Sequence, residues 1–157
     1  MTELRNAVEA DISALAALWH SGWREAHMAH VPENLVAMRT AESFLIRTRR
    51  HLQSIRTAGT EGAPLGMCIV KDHIIEHIYV APSARGSGLA NDLIEDGLRK
   101  IAEADFTTAE LAVIPENARA IAFYKKTGWR EGSIKNVSLE TLAEPFDLAC
   151  IIMHKNV

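Results

Sequence analysis

The stretch from Ile74 to Glu103 constrains the fold more than any other part of the chain. The run IIEHIYV is rich in β-branched and aromatic residues, and Pro82 closes it. After the small-residue passage SARGSG, the pairs Leu89/Ala90, Leu93/Ile94, Gly97/Leu98 and Ile101/Ala102 recur every four residues, opposite Asn91, Asp92, Glu95, Arg99 and Glu103. This is a strand, a tight connection and a strongly amphipathic helix. A helix with one apolar stripe must bury it, and a neighbouring sheet is the natural partner, so the chain reads as mixed α/β.

The flanking segments extend the pattern. A short extended start around Leu4 to Ala7 precedes a helix with apolar positions Ile12, Leu15, Ala16, Trp19 and Trp23, for which Asp11 is the expected N-cap. Pro32 and Glu33 suit a first helical turn, and Thr40 with Ser43 frames a further helix through Leu52. From Ile55 the texture turns β-rich, with LGMCIV and HIIEHIYV expected as the last strands of a meander. Strict alternation there puts Ile74, Glu76, Ile78 and Val80 on one face and Ile75, His77 and Tyr79 on the other. TTAELAVI predicts the next strand, and PENARAIAFYKKTG a helix opened near Asn117 and stopped by Gly128. WREGSIKNV and FDLACIIMHK predict two final strands joined by a polar loop holding Pro145.

With 157 residues, 48% of them hydrophobic, the chain is expected to form one domain, residues 1–157. A net charge of -3 offers no electrostatic case for a nucleic-acid partner, so any anion site must be local. The first twenty residues lack the pattern of a signal peptide, and no apolar run suits a membrane span; the expectation is a cytoplasmic protein with no membrane partner. Cys68 and Cys150 each sit inside an apolar run and are read as buried thiols. His27 and His30 stand three apart, but no carboxylate or cysteine completes a ligand set, so no metal is expected.

RGSGLA carries the chemistry. Missing side chains at Gly86 and Gly88 let the backbone approach a ligand and adopt positive φ, and the helix that follows adds unpaired N–H groups and a positive dipole end. With Arg85 as a charged fork, this suits pyrophosphate; an ordinary tight turn between strand and helix would also use these glycines. A Walker loop is excluded because its lysine and hydroxyl partner are absent, and the dinucleotide fingerprint because Asn91 stands where a third small residue belongs.

Val80, Pro82, Arg85, Gly88 and Ala90 match the V-x-P-x-x-[QR]-x-x-G-x-[GA] pattern, by which the chain resembles the GCN5-related N-acetyltransferases (GNAT). LAVIPENARAIAFYKKTGW is similar to that superfamily's second conserved block, and LWHSGWREAHMAHVPENLVAM to a bacterial subgroup of it. The resemblance implies the acyl-CoA N-acyltransferase fold: an α/β (α+β) arrangement whose mostly antiparallel central sheet is splayed between its fourth and fifth strands and flanked by helices. It implies transfer of acetyl from acetyl-CoA, a co-substrate, to a primary amine acceptor by direct attack in a ternary complex, with a homodimer as a common assembly. Transfer of an acyl group longer than acetyl, acyl transfer to a hydroxyl, or a coenzyme-binding regulatory module without turnover, stays open.

Residue by residue, the resemblance assigns the pyrophosphate to main-chain N–H groups of Arg85, Gly86, Ser87, Gly88, Leu89 and Ala90. Relatives commonly carry a cation where Ser87 stands. The amides of Ile78, Tyr79 and Val80 would hold the pantetheine arm and thioester, Asn117 would contact pantetheine, and Tyr124 would protonate the departing thiolate. For the general base, Glu76 is the first choice, with Glu110 and a water chain as alternatives, because relatives' carboxylates are replaced here by Ile74 and Ala112. The same resemblance makes the helical N-terminal third one wall of the acceptor cleft. Neither that region nor the Val137 to Phe146 loop carries a large cluster of charge, so neither a polyanion nor a strongly cationic acceptor is indicated, and a small molecule, a polyamine and a peptide all stay open as the amine.

Overall fold

The computed structural model describes residues 3–157. β1 (Leu4–Asn6) leads into three helices, α1 (Ile12–His27), α2 (Glu33–Met38) and α3 (Ala41–His51). The meander β2 (Ile55–Ala58), β3 (Gly66–Lys71) and β4 (Ile74–Val80) follows. α4 (Leu89–Glu103), β5 (Thr108–Val113), α5 (Ala118–Lys126), β6 (Arg130–Leu139) and β7 (Phe146–Asn156) complete the chain. The seven strands form one sheet in the order β1-β2-β3-β4-β5-β7-β6, antiparallel at every junction except the parallel β4–β5 pair.

Each face of the sheet is covered by an apolar layer. Leu89, Leu93, Ile94, Leu98 and Ile101 of α4 pack with Cys68, Ile75, Ala109, Leu111 and Tyr124, as the four-residue recurrence requires. On the other face Leu15, Trp19, Trp23, Leu35 and Phe44 pack against Ile55, Met67 and Ile69. Trp19 and Trp23 are therefore core residues, with the Trp19 ring edge-on to Phe44 at 5.5 Å. Thr40 caps α3 as its spacing indicates, its Oγ1 accepting from the Ser43 amide at 3.0 Å. Among the described residues, no helix is long and apolar enough to cross a membrane.

Asp11 departs from its expected role. Its carboxylate turns backward, accepting from the Val8 amide (2.9 Å), the Gly62 amide (2.9 Å) and both Nη atoms of Arg5 (2.8 and 3.0 Å). It thus ties β1 and the β2–β3 turn to the start of α1. The hydrogen bonds from Arg5, against burial and aided by the two amides, hold its pKa down at about 2 from an ordinary 3.8. A depressed folded-state pKa contributes stability that is complete above the unfolded value and lost as pH falls from about 4 through about 2. Asp11 is expected to supply about 2 kcal/mol of this acid-sensitive stability. Urea unfolding at stepped pH checks it: Asp11→Asn should flatten the acid limb, and an unaltered limb would refute the assignment.

The β4 strand breaks strict alternation. Ile69 lies opposite His77 but Val70 lies opposite Ile75, leaving Glu76 as an extra, unopposed residue. Ile78 and Val80 consequently join Ile75 in packing on the α4 side, while Tyr79 packs with the α1 side. The expected grouping of Ile74, Glu76, Ile78 and Val80 on one face is corrected by this bulge, which reverses side-chain parity beyond it.

Candidate active site

β4 and β5 touch only at their start, where Ile74 lies opposite Glu110 and the Glu110 amide donates to the His73 carbonyl at 2.9 Å. Beyond that point they diverge, opening a cleft of about 1560 Å³. Ile78, Tyr79, Val80, Gly86, Gly88, Ala90, Asn117 and Tyr124 all line it. Residues singled out in two separate sequence blocks are thus brought onto one cavity.

The backbone of β4 sorts the three expected amides. The Ala81 amide donates to Leu65 at 2.8 Å, and Met67 lies opposite Tyr79 and Cys68 opposite Ile78. Antiparallel ladders alternate bonded and non-bonded pairs, so the polar main-chain groups of Tyr79 bond β3 while those of Ile78 and Val80 face away from it into the cleft. The Tyr79 amide is thus engaged by β3, and the ring packs where a Cβ on Gly22 of α1 would collide with it.

In the loop before α4, Gly86 and Gly88 have φ of 79° and 87°. A Cβ built on either would meet nothing within 4 Å, so open space lies in front of the turn. The Arg85 amide donates to Pro82, the Ser87 amide to Ala84, and the Leu89 amide to the Ser87 hydroxyl at 3.3 Å. This leaves the N–H groups of Gly86, Gly88, Ala90 and Asn91 without partners among the described residues. These free donors are fewer than the expected Arg85-to-Ala90 set, and they include Asn91 beyond it. The general rule that a helix's first turn has free donors accounts for the Asn91 N–H. Arg85 is engaged by Glu25 of α1 at 2.6 Å; both side chains are well exposed, so the pair is weak and a phosphate can compete for it.

Asn117 is the N-cap of α5, its carboxamide oxygen accepting from the Ala120 amide at 3.2 Å, which leaves its NH2 for a ligand. Seven residues on, Tyr124 is wedged edge-on between Phe123 (5.4 Å) and Trp129 (5.9 Å). Its hydroxyl has no hydrogen-bond partner among the described residues and opens on the cleft. Burial, with smaller effects from nearby Cys68 and Tyr79, pushes the phenol above its ordinary range, so it stays protonated.

The two carboxylates considered as bases both lie on the cleft near the strand divergence. Glu76 is exposed at the bulge, whereas Glu110 is half-buried with an Oε atom 3.9 Å from His73 Nε2. Cys68 and Cys150 are buried, and burial pushes the Cys68 thiol up to about 12, far from the thiolate a nucleophile needs. Among the described residues no group of histidine, cysteine and carboxylate side chains could hold a metal ion.

Comparison with known proteins fits this geometry. Residues 13–129 match the model of the "Acetyltransferase (GNAT) family". A GCN5-related N-acetyltransferase structure from Rhodopseudomonas palustris superimposes with a TM-score of 0.74 at 19% identity, covering 100% of this chain and 96% of the other. A phosphinothricin acetyltransferase from Sinorhizobium meliloti in complex with acetyl-CoA gives 0.71 at 17% identity, covering 99% and 88%. The PaiA N-acetyltransferase from Thermoplasma acidophilum in complex with coenzyme A gives 0.66 at 15% identity, covering 100% and 99%. Among curated proteins none matches the chain.

Proposed function

The chain belongs to the acetyltransferase (GNAT) family and is an acyltransferase, and from that premise we propose that it moves acetyl from acetyl-CoA to a primary amine, directly and within a ternary complex. The observation that carries this reading is the convergence on one cleft of free N–H groups at Gly86, Gly88, Ala90 and Asn91, the outward-facing amides of Ile78 and Val80, and the open hydroxyl of Tyr124.

Bound acetyl-CoA supplies a thioester whose carbonyl carbon accepts an amine. The cradle residues hold the pyrophosphate, with Arg85 exchanging Glu25 for phosphate, and the Asn117 NH2 holds the pantetheine arm. Ile78 and Val80 direct N–H groups at the place where carbonyl oxygen charge grows. Tyr124 gives its proton to the departing sulfur. Glu76 takes the proton from the incoming ammonium, directly or through water, and the second proton that the nitrogen sheds as the amide forms restores the one Tyr124 gave up. The raised thiol pKa of Cys68 supports direct attack by the amine over a covalent relay.

The test is a calorimetric titration with acetyl-CoA followed by measurement of free thiol over a panel of amines, antibiotics and peptide N-termini. Acetyl-CoA binding with amine-dependent thiol release is expected. Binding with no release on any acceptor would overturn the catalytic reading and leave a coenzyme-binding module.

A further inference from the structure

On the α1 side of β4, the cleft wall contains two arginines that the linear sequence gives no reason to connect. Arg39, at the end of α2, is 6% exposed and Arg47, on α3, is 1% exposed. Both line the cleft, as does the one carboxylate beside them, Glu140 in the β6–β7 loop. That carboxylate is already shared: Oε1 accepts from Arg47 Nε at 2.9 Å, Oε2 from Arg50 Nη1 at 3.2 Å, and both oxygens lie 2.9 Å from His51 Nε2.

Arg39 forms no ion pair with a carboxylate among the described residues. Its Nη1 donates to the Glu140 main-chain carbonyl at 2.6 Å, and its buried Nε has no partner. Arg47 Nη1 is likewise buried and unpaired, its guanidinium stacked 4.3 Å from the Trp19 ring centroid. Two buried cations therefore face the cleft with one carboxylate between them. A buried charge without its counter-ion is costly, and two unpaired donors add to that cost. Burial, with the Arg47 charge, even lowers the Arg39 pKa to about 10. The Tyr79 phenol lies within electrostatic reach of both guanidiniums, which places them beside the β4 segment whose Ile78 and Val80 amides face the cleft.

We propose that Arg39, backed by Arg47, binds an anionic group of the acceptor, so that the substrate is a small amine carrying a carboxylate, of the amino-acid class. This rests on the acyl-transfer reading and narrows its acceptor. A carboxylate on Arg39 supplies the missing counter-ion through charge-assisted hydrogen bonds from Nη2, which has no partner among the described residues and, unlike Nε, is not closed off from the cleft, and it leaves the amine a few bonds away to reach the thioester. The tethered β6–β7 loop, held by Arg39, Arg47, Arg50 and His51 through the one residue Glu140, forms the far wall.

The decisive experiment titrates the coenzyme-A-saturated protein with N-acetyl-amino acids bearing small, aliphatic, aromatic and acidic side chains, and with the corresponding N-acetyl-amino amides. For the best-bound side chain the acid should bind at least about thirtyfold more tightly than its amide. Arg39→Met should cut that ratio below about threefold and Arg39→Lys should retain part of it, with acetyl-CoA affinity and melting as folding controls. Equal binding of acid and amide, no binding of any acid, or a ratio unchanged in Arg39→Met would each overturn the proposal. If Arg39→Met does not fold, the ratio in the parent chain and in Arg39→Lys decides. Failure of acetyl-CoA to bind would instead strike the acyl-transfer reading, and acid and amide would then be compared by melting shift on the coenzyme-free protein.

Discussion

Replacing Tyr124 with Phe is expected to lower kcat about a hundredfold while acetyl-CoA affinity changes by less than about twofold. The substitution removes one oxygen and no packing: the ring stays between Phe123 and Trp129, and the lost hydroxyl has no protein partner to strand. What is lost is the proton. Burial favours the neutral phenol, and the same desolvation raises the basicity of a thiolate leaving beside it, so the transfer remains matched although the free thiol is near 8.5. Steady-state thiol release together with coenzyme titration separates the two quantities. Turnover within about threefold of the parent would end the assignment of Tyr124 as the acid, since general acid catalysis is worth about a hundredfold or more.

Gly88→Val should weaken acetyl-CoA binding about a hundredfold, or about 2.7 kcal/mol, and lower the melting temperature by only about 3–6 °C. Two effects act at this position. A β-branched residue at a φ of 87° is strained, at roughly 1–2 kcal/mol. Its side chain also projects into the space in front of the free N–H groups, which no protein atom fills within 4 Å of the Cβ position. Strain costs stability; occupation of the cradle costs affinity. Calorimetry and a melt read them separately, and unchanged affinity would show that the cradle does not hold the coenzyme.

Most of the architecture could be read from the chain because its periodic signals are local. The four-residue recurrence in α4 and the Thr40–Ser43 cap each depend on neighbours within a few positions, and both stand as expected. The bulge was illegible because one additional residue in β4 leaves the composition of the strand unchanged while inverting its parity, and only the opposite strand reveals it. Asp11 deceived for a related reason: an acidic residue before a helix is an ordinary cap until Arg5 and the distant Gly62 amide compete for it. The positive φ of the two loop glycines was legible, but Ser87 using its hydroxyl on Leu89 was not, since it depends on how the turn closes. Least legible was the arginine pair. Arg39 and Glu140 are 101 residues apart, and a charge count along the sequence cannot tell a solvated arginine from one that folding buries.

The divergence of β4 from β5 also bears on solubility. A seven-stranded sheet ordinarily exposes two edges, here β1 and β6, but this one has a second pair, the facing inner borders of β4 and β5 beyond Ile74 and Glu110. Unpaired strand borders invite pairing with other chains. These lie at the bottom of a notch covered by α1 on one face and α4 and α5 on the other, where an extended foreign strand would have to thread in from the mouth. The fold can therefore leave main-chain donors free for a narrow ligand without offering them as a template for aggregation.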